Sequence, residues 1–325
     1  MTQQRVAIVH ERFTEVGGSE RVVEQFHHLW PDAAIHAAVV DREALPPSLR
    51  HADIRPSKLQ ALYRGGRSYA HLLPLLPLAL ARLDLGDVDL VVTSHHAFAN
   101  RVRPRSGAPV LSYTHTPARW LWEPAMRANE IGGRAGTLAL DVFAASQRSA
   151  DRRAASRLTG LAVNSHHVAR RVTDWWHQQA TVIPPPVDTE RFRPDAAVER
   201  EPFFLAAGRL VPYKQTEVAV AAAHQAGVRL VVAGGGRNLP AVQAAAAGDP
   251  RIEILGDVDD PTLLDLYRRC QALVFPGEED FGIVPVEAQA AGVPVIAYGA
   301  GGVRDTVIEG ETGIFHSQQT TASLV

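Results

Sequence analysis

Residues 275–288 read Phe-Pro-Gly-Glu-Glu-Asp-Phe-Gly-Ile-Val-Pro-Val-Glu-Ala, the end of an apolar run followed by a glycine-punctuated turn and a helix start. Pro285 suits the first turn of that helix, and Gly292 falls just past its end. The bare amides of Gly282, Ile283 and Val284 would then point at an anion such as a phosphate. Glu279 precedes the helix and Glu287 lies about one turn inside it. Two carboxylates make poor anion ligands. They are good hydroxyl acceptors, suited to a sugar and a ribose on the two sides of a diphosphate.

A second constellation is Gly208-Arg209-Leu210-Val211-Pro212-Tyr213-Lys214, directly after an apolar run. The sequence strongly prefers arginine, and Lys214 is one of only two lysines. Keeping lysine against that bias points to a need for a compact ammonium. Arg209 and Lys214 at a strand exit are placed to clamp a diphosphate, although two solvated surface charges would be the reading if the pair stood alone. A third candidate, Val16-Gly17-Gly18-Ser19-Glu20, separates the first apolar run from a helical segment and offers a close backbone approach at Gly17 and Gly18. A tight turn with no further role is an equal reading of it. Neither this loop nor Gly234-Gly235-Gly236 completes a dinucleotide-binding Gly-x-Gly-x-x-Gly pattern.

The elements that must carry these residues alternate. Short apolar runs at 6–9, 34–40, 90–93, 110–113 and 161–164 are separated by helical stretches, and a second series follows at 203–206, 229–233, 252–255, 272–275 and 294–297. This rhythm predicts βα units and a parallel sheet, twice over. The break is Pro184-Pro185-Pro186, which fixes φ three times and removes three donors. The expected organisation is a first domain over 1–183, a linker over 184–200 and a second domain over 201–325. With 325 residues, 46% apolar and 21% charged, the chain can fill two cores and is not globally disordered. The net charge of −2 divides into +6 over 1–183 and −8 over 184–325. The single cysteine, Cys270, sits in an apolar run and cannot form an intrachain disulfide. Met1–Arg5 leads into the first strand without the apolar core of a signal peptide, and the stretch 72–80 is broken by Pro74 and Pro77 and too short to span a bilayer.

Glu279 and Glu287 reproduce the Glu-x7-Glu spacing of the retaining glycosyltransferases of family 4, which the chain resembles over nearly its whole length. The matching segments are Gly17-Gly18, Ser112 to Pro117, Asn164-Ser165, Ile183 to Asp188, Gly208 to Lys214 and Gly277 to Glu287. The run His115-Thr116-Pro117-Ala118-Arg119-Trp120-Leu121-Trp122 is most similar to mannosyltransferases of bacterial surface-polysaccharide assembly. The resemblance implies an α/β GT-B fold: two facing Rossmann-like domains with parallel sheets and a cleft between them. It implies transfer of a hexose, mannose from GDP-mannose first among them, from a nucleotide diphosphate sugar to a glycan or lipid-linked hydroxyl, with no metal and no cofactor. Arg209 and Lys214 would then bind the donor diphosphate, Glu287 the ribose, Glu279 the transferred sugar, and Gly282 to Val284 the sugar and phosphate. Gly17 and Gly18 would approach the diphosphate, and His115 would face the donor sugar near the acceptor hydroxyl. The expected location is cytoplasmic and peripheral on the inner face of the membrane, with an anionic surface as a partner and nucleic acid excluded. The family pattern continues past Gly313-Ile314-Phe315 through further helices, whereas this sequence stops at Val325, so the expectation is a truncated form or one without its closing element.

Two other functions share this fold and stay open: a nucleotide-sugar epimerase, and a sugar-nucleotide-binding protein without catalysis. Asp87-Val88-Asp89 spells a metal signature of another glycosyltransferase fold, but it precedes a strand, where parallel sheets do not place their sites. The adjacent pairs His95-His96 and His166-His167 point their members in different directions and lack chelating geometry. Trp175 and Trp176 read as packing residues.

Overall fold

Val6–His10 (β1) is buried at every position, as a strand covered on both faces of a parallel sheet must be. In the computed structural model, which describes residues 4–15, 17–65, 69–127 and 134–325, this strand is central in the first of two compact units, Met1–Pro186 and Val187–Val325. Val16, the first residue of the glycine loop, lies outside the described residues. The first sheet adds Ala34–Ala37 (β2), Ile54–Pro56 (β3), Leu90–His95 (β4), Val110–Thr114 (β5), Gly160–Val163 (β6) and Thr181–Val182 (β7). Its order is β3-β2-β1-β4-β5-β6-β7 and every pairing is parallel. The second sheet contains Phe203–Ala207 (β8), Arg229–Ala233 (β9), Ile252–Gly256 (β10), Leu273–Phe275 (β11), Val295–Tyr298 (β12) and Gly313–His316 (β13), ordered β10-β9-β8-β11-β12-β13 and again all parallel. Both are Rossmann-like orders that reverse direction at one point, between β1 and β4 and between β8 and β11.

The first unit's described helices are Gly18–Leu29 (α1), Leu76–Ala81 (α2), Arg119–Trp122 (α3), Pro124–Arg127 (α4), Arg134–Ala155 (α5) and His166–Arg171 (α6). The second unit has Thr216–Ala226 (α7), Leu239–Ala246 (α8), Asp260–Arg269 (α9), Ile283–Ala290 (α10) and Thr321–Leu324 (α11). Local chemistry sets their ends. Asp259 accepts from the Thr262 amide to start α9, and Gly227 takes a φ of +72° to stop α7. Among the described residues no helix is long and apolar enough to cross a membrane.

The ten strands expected from the sequence all form, and three more join them at sheet edges. β3 carries Pro56, which only an edge strand tolerates, and β7 has two residues. Neither shows the alternation that reveals a strand in sequence. The stretch 187–200, read as linker, is built onto the second unit: Phe192 is 1% exposed and meets Tyr267 edge to face at 5.9 Å. Cys270 is fully buried, and burial pushes its thiol up to about 12. Leu72, Leu76 and Leu80 are buried in the first core, while Leu75 and Leu78 face outward.

Trp176 is buried and Trp175 stacks on Trp122 at 5.9 Å, so both are packing residues. The indole N–H groups of Trp176 and Trp122 donate to Asp151 on α5 at 2.6 and 3.0 Å. Burial raises the Asp151 carboxyl to about 6, against the pull of Arg101 and the two indoles. A carboxyl raised on folding contributes stability that is complete below its ordinary range and is lost as pH rises through about 6. Stability to urea is therefore expected to carry a component that declines between about pH 4 and 6. Asp151→Asn, which keeps one oxygen for the indoles, should remove that component. Equal slopes for the two proteins would contradict this account.

Candidate functional site

The loop leaving β8 turns through Gly208, whose φ is +118°, into a single helical turn, Pro212–Lys214. Lys214 Nζ stands 2.7 Å from Glu279 Oε1 across the sheet's reversal point, with both side chains less than one-fifth exposed. Burial, the largest single influence, pushes the Lys214 ammonium down, but Glu279 and Tyr213 together more than offset it and the net shift is upward, so the lysine is charged. Tyr213 and Arg209 belong to the same cluster: burial and the charge of Glu279 raise the Tyr213 phenol, while Lys214 and Arg209 oppose them. The structure thus gathers Arg209, Lys214 and Glu279, three of the residues expected to do chemistry. It pairs the carboxylate assigned to a sugar with the cation assigned to a phosphate.

Glycines fix the spacing. A Cβ on Gly277 would lie 2.6 Å from Lys214 Cα and 2.8 Å from its carbonyl oxygen. The loops bearing Lys214 and Glu279 therefore touch backbone to backbone, which only a residue without a side chain permits. On the other side, Gly302 N donates to Glu279 O at 2.8 Å, and a Cβ on Gly301 or Gly302 would collide with the backbone of residues 279–281. Gly282 begins α10 with a φ of +86°. Val284 Cγ2 would stand 3.7 Å from a Cβ on Gly208, so the start of α10 lies beside the loop after β8. Ile283 is half-buried there. Glu287, one turn further, is 3% exposed and has the fully buried Tyr267 hydroxyl 3.5 Å from its Oε2.

In the first unit the reversal point lies between β1 and β4, and His10 and Ser94 are register partners across it. Glu20 Oε1 lies 3.1 Å from His10 Nε2, His10 Nδ1 is 3.1 Å from Ser94 Oγ, and Ser94 Oγ is 2.9 Å from His115 Nε2 just past β5. Burial of Glu20 would raise its carboxyl, but His10 and Ser19 outweigh this and hold it at about 2. Burial, aided by His10, pushes the His115 imidazole down to about 3. His115 is anchored through its backbone: its amide donates to His95 O, and its carbonyl accepts from Asn164 Nδ2 at 2.9 Å. Glu20 Oε2 also accepts from Gly17 N at 2.9 Å. The Gly17 amide at the start of α1 is therefore engaged by an internal carboxylate, and no longer available to an anion as the sequence suggested. Gly18 is the first residue of α1.

Beside this chain, Glu11 Oε1 receives the amides of Ala97, Phe98 and Ala99 at 2.9, 2.5 and 2.6 Å, so that turn too is satisfied from within. Asp87 and Asp89 are held by Arg5 at 2.7 and 2.9 Å, at the end of β4 opposite His95. Among the described residues, no group of three or more His, Cys, Asp or Glu is arranged to hold a metal ion. The sequence reading missed His10, Ser94, Tyr267, Gly301 and Gly302, and gave no role to Glu20 and Tyr213, which lie within its candidate runs. Of the missed residues, the Gly301-Gly302 pair carried a sequence signal, a second glycine-rich turn after an apolar run.

Residues 16–191 match the family model described as Glycosyltransferase Family 4, and residues 188–325 the one described as Glycosyl transferases group 1. A D-inositol 3-phosphate glycosyltransferase of Acidothermus cellulolyticus is 28% identical over 260 residues, 69% of this chain and 55% of that one. A GDP-mannose-dependent alpha-(1-6)-phosphatidylinositol monomannoside mannosyltransferase of Mycobacterium tuberculosis is 33% identical over 158 residues, 41% of each chain. The chain spans about half the length of the curated relatives it matches. Among solved structures, sucrose-phosphate synthase of Thermosynechococcus elongatus superposes with a TM-score of 0.71 at 21% identity, covering 99% of this chain and 88% of that one. Anabaena HepE, in complex with UDP and glucose, gives 0.70 at 18% identity with the same coverage.

Backbone contact at Gly277 yields a direct test. Gly277→Ala must part the loops bearing Lys214 and Glu279, and is expected to cost about 1–3 kcal/mol, as overpacking does. Denaturant titration followed in the second unit measures it, and an unchanged midpoint would show that the loops are free to separate.

Proposed function

Because the chain belongs to glycosyltransferase family 4, we propose that it transfers a hexose from a nucleotide diphosphate sugar to a hydroxyl of a glycan or glycolipid, with retention of anomeric configuration. The observation that carries the reading is the cluster of Arg209, Tyr213, Lys214 and Glu279 at the reversal point of the second sheet, beside the start of α10. Arg209 and Lys214 supply positive charge and the first amides of α10 supply oriented dipoles, the combination that stabilises a departing diphosphate. Glu279 accepts from sugar hydroxyls once the lysine turns to phosphate, and Glu287 accepts from the ribose. In the transfer step the acceptor oxygen bonds to the anomeric carbon as the carbon–oxygen bond to phosphate breaks, and a departing phosphate oxygen takes the hydroxyl proton. Cations and amides already meet the diphosphate, so the step has no need of a divalent ion.

GDP-mannose is the favoured donor, supported by the segment His115 to Trp122 and by the mycobacterial relative named for that donor. UDP-sugars are the competing class, as in the HepE complex. GDP-mannose is expected to raise the melting temperature and to be turned over in the presence of EDTA. Stabilisation by UDP-glucose alone would overturn the donor, and activity abolished by EDTA and restored by magnesium would overturn the metal independence. The +6 charge of residues 1–183 suits an acceptor on an anionic surface. Vesicle binding that ignores both anionic lipid and salt would remove that support.

The ion pair separates the roles of its two members. Lys214→Ala should weaken nucleoside diphosphate binding by about tenfold or more, the scale of a charged hydrogen bond. Glu279→Gln removes the lysine's competing partner, so nucleoside diphosphate affinity should hold or rise while transfer slows. Calorimetric titration of both variants decides, and lost diphosphate binding in a folded Glu279→Gln protein would reverse the assignment.

A further inference from the structure

We propose that Glu20, His10 and Ser94 form a buried positioning relay that holds His115 as its Nε2–H tautomer and leaves Nδ1 as a bare acceptor for a substrate hydroxyl. That the hydroxyl belongs to a sugar substrate rests on the glycosyltransferase reading. The tautomer does not.

The argument is a count of donors along one chain. Ionised Glu20 only accepts, so His10 Nε2 carries the hydrogen facing Glu20 Oε1 at 3.1 Å. With a single hydrogen on His10, placed on Nε2, Nδ1 has a lone pair, and the single hydroxyl hydrogen of Ser94 goes to it across 3.1 Å. Ser94 Oγ is left as an acceptor toward His115 Nε2 at 2.9 Å, so that nitrogen must carry the hydrogen. A neutral imidazole has one N–H, and Nδ1 of His115 is therefore bare. Glu20, His10 and Ser94 are at most 4% exposed, so water does not compete along the chain, while His115 at its end is half-buried. The other groups around the chain are Phe13 and His96 beside His10, and Tyr113 and His96 beside His115. Burial pushes His96 well below its ordinary range, helped by Arg12, whose Nη1 lies 2.6 Å from His96 Nε2.

Glu20→Gln tests the relay because its geometry allows one outcome. The amide N–H of Gly17 can only donate, so the amide oxygen of the new side chain must stay where Oε2 accepts from Gly17 and Ser19. The amide NH2 then faces His10 Nε2 and donates to it. Every link reverses: His10 becomes Nδ1–H, Ser94 donates to His115 Nε2, and the His115 hydrogen moves to Nδ1. Histidine-selective nitrogen NMR on the full chain at about pH 8, above the ordinary histidine range, reads this directly, with His10→Gln and His115→Gln assigning the signals. The expected result is His115 protonated at Nε2 in the wild type and at Nδ1 in Glu20→Gln. In transfer assays kcat should fall about 10- to 100-fold, the scale of a misplaced acceptor group, with nucleoside diphosphate affinity unchanged. Ser94→Ala, which leaves the start of α1 intact, should abolish the tautomer preference and serves if Glu20→Gln does not fold. A wild-type His115 protonated at Nδ1, or the same tautomer in wild type and Glu20→Gln, overturns the relay. A reversed tautomer with unchanged kcat overturns the role of Nδ1. Spectra that behave as stated in a protein that transfers no sugar leave the relay standing and remove the transferase reading instead.

Discussion

Parallel strands all exit at the same edge of a sheet, and where their order reverses the loops after the two central strands diverge and leave room between them. Both units are organised by that constraint. In the second, the loop after β8 brings Arg209 and Lys214 to the gap and the loop after β11 brings Glu279. In the first, β1 ends in His10, β4 ends in Ser94 and His95, and His115 follows β5. The contacts between loops and strands join residues far apart in sequence. Ser94 is 84 residues from His10 and 21 from His115, yet adjacent strands set them side by side.

The two gaps are wired differently. The second unit keeps a cation and a carboxylate in contact, and Glu279 together with Tyr213 offsets the cost of burying the lysine. In the first unit, internal groups consume what a ligand would otherwise meet: Glu20 takes the Gly17 amide and Glu11 takes the amides of the turn after β4. What remains is a string of hydrogen bonds ending on an imidazole held neutral by burial. On the proposed reading, such a string would orient hydroxyl groups, whereas the ion pair would answer to phosphate.

The alternation of apolar runs made both sheets legible, because a strand buried on both faces has to be apolar throughout. Strands β3 and β7 were not, since two or three residues at an edge bury too little to leave a pattern. Phe192 was hidden in a polar stretch, and a lone aromatic does not announce which core it fills. Of the site, the glutamates and the basic pair stood out through spacing and through a lysine kept against the trend of the chain. Glu20 did not, because a glutamate in the first helical turn is ordinary chemistry for a helix start. His10 and Ser94 gained meaning only from strand register, which depends on the whole sheet.

The glycines at 277, 301 and 302 connect these points. They hold the Glu279 loop against backbone on two sides, so the carboxylate cannot retreat if Lys214 is drawn to a phosphate. A carboxylate less than one-fifth exposed and deprived of its cation must find other donors or bear the cost of lacking them. A bare diphosphate takes the lysine and offers no donor in return. A diphosphate bearing a sugar takes the lysine and presents hydroxyl hydrogens to the oxygen left behind. On the proposed reading, rigid spacing would convert one ion pair into a preference for a ligand that joins an anion to hydroxyls, a discrimination that either charge alone, on a loop free to move, would not produce.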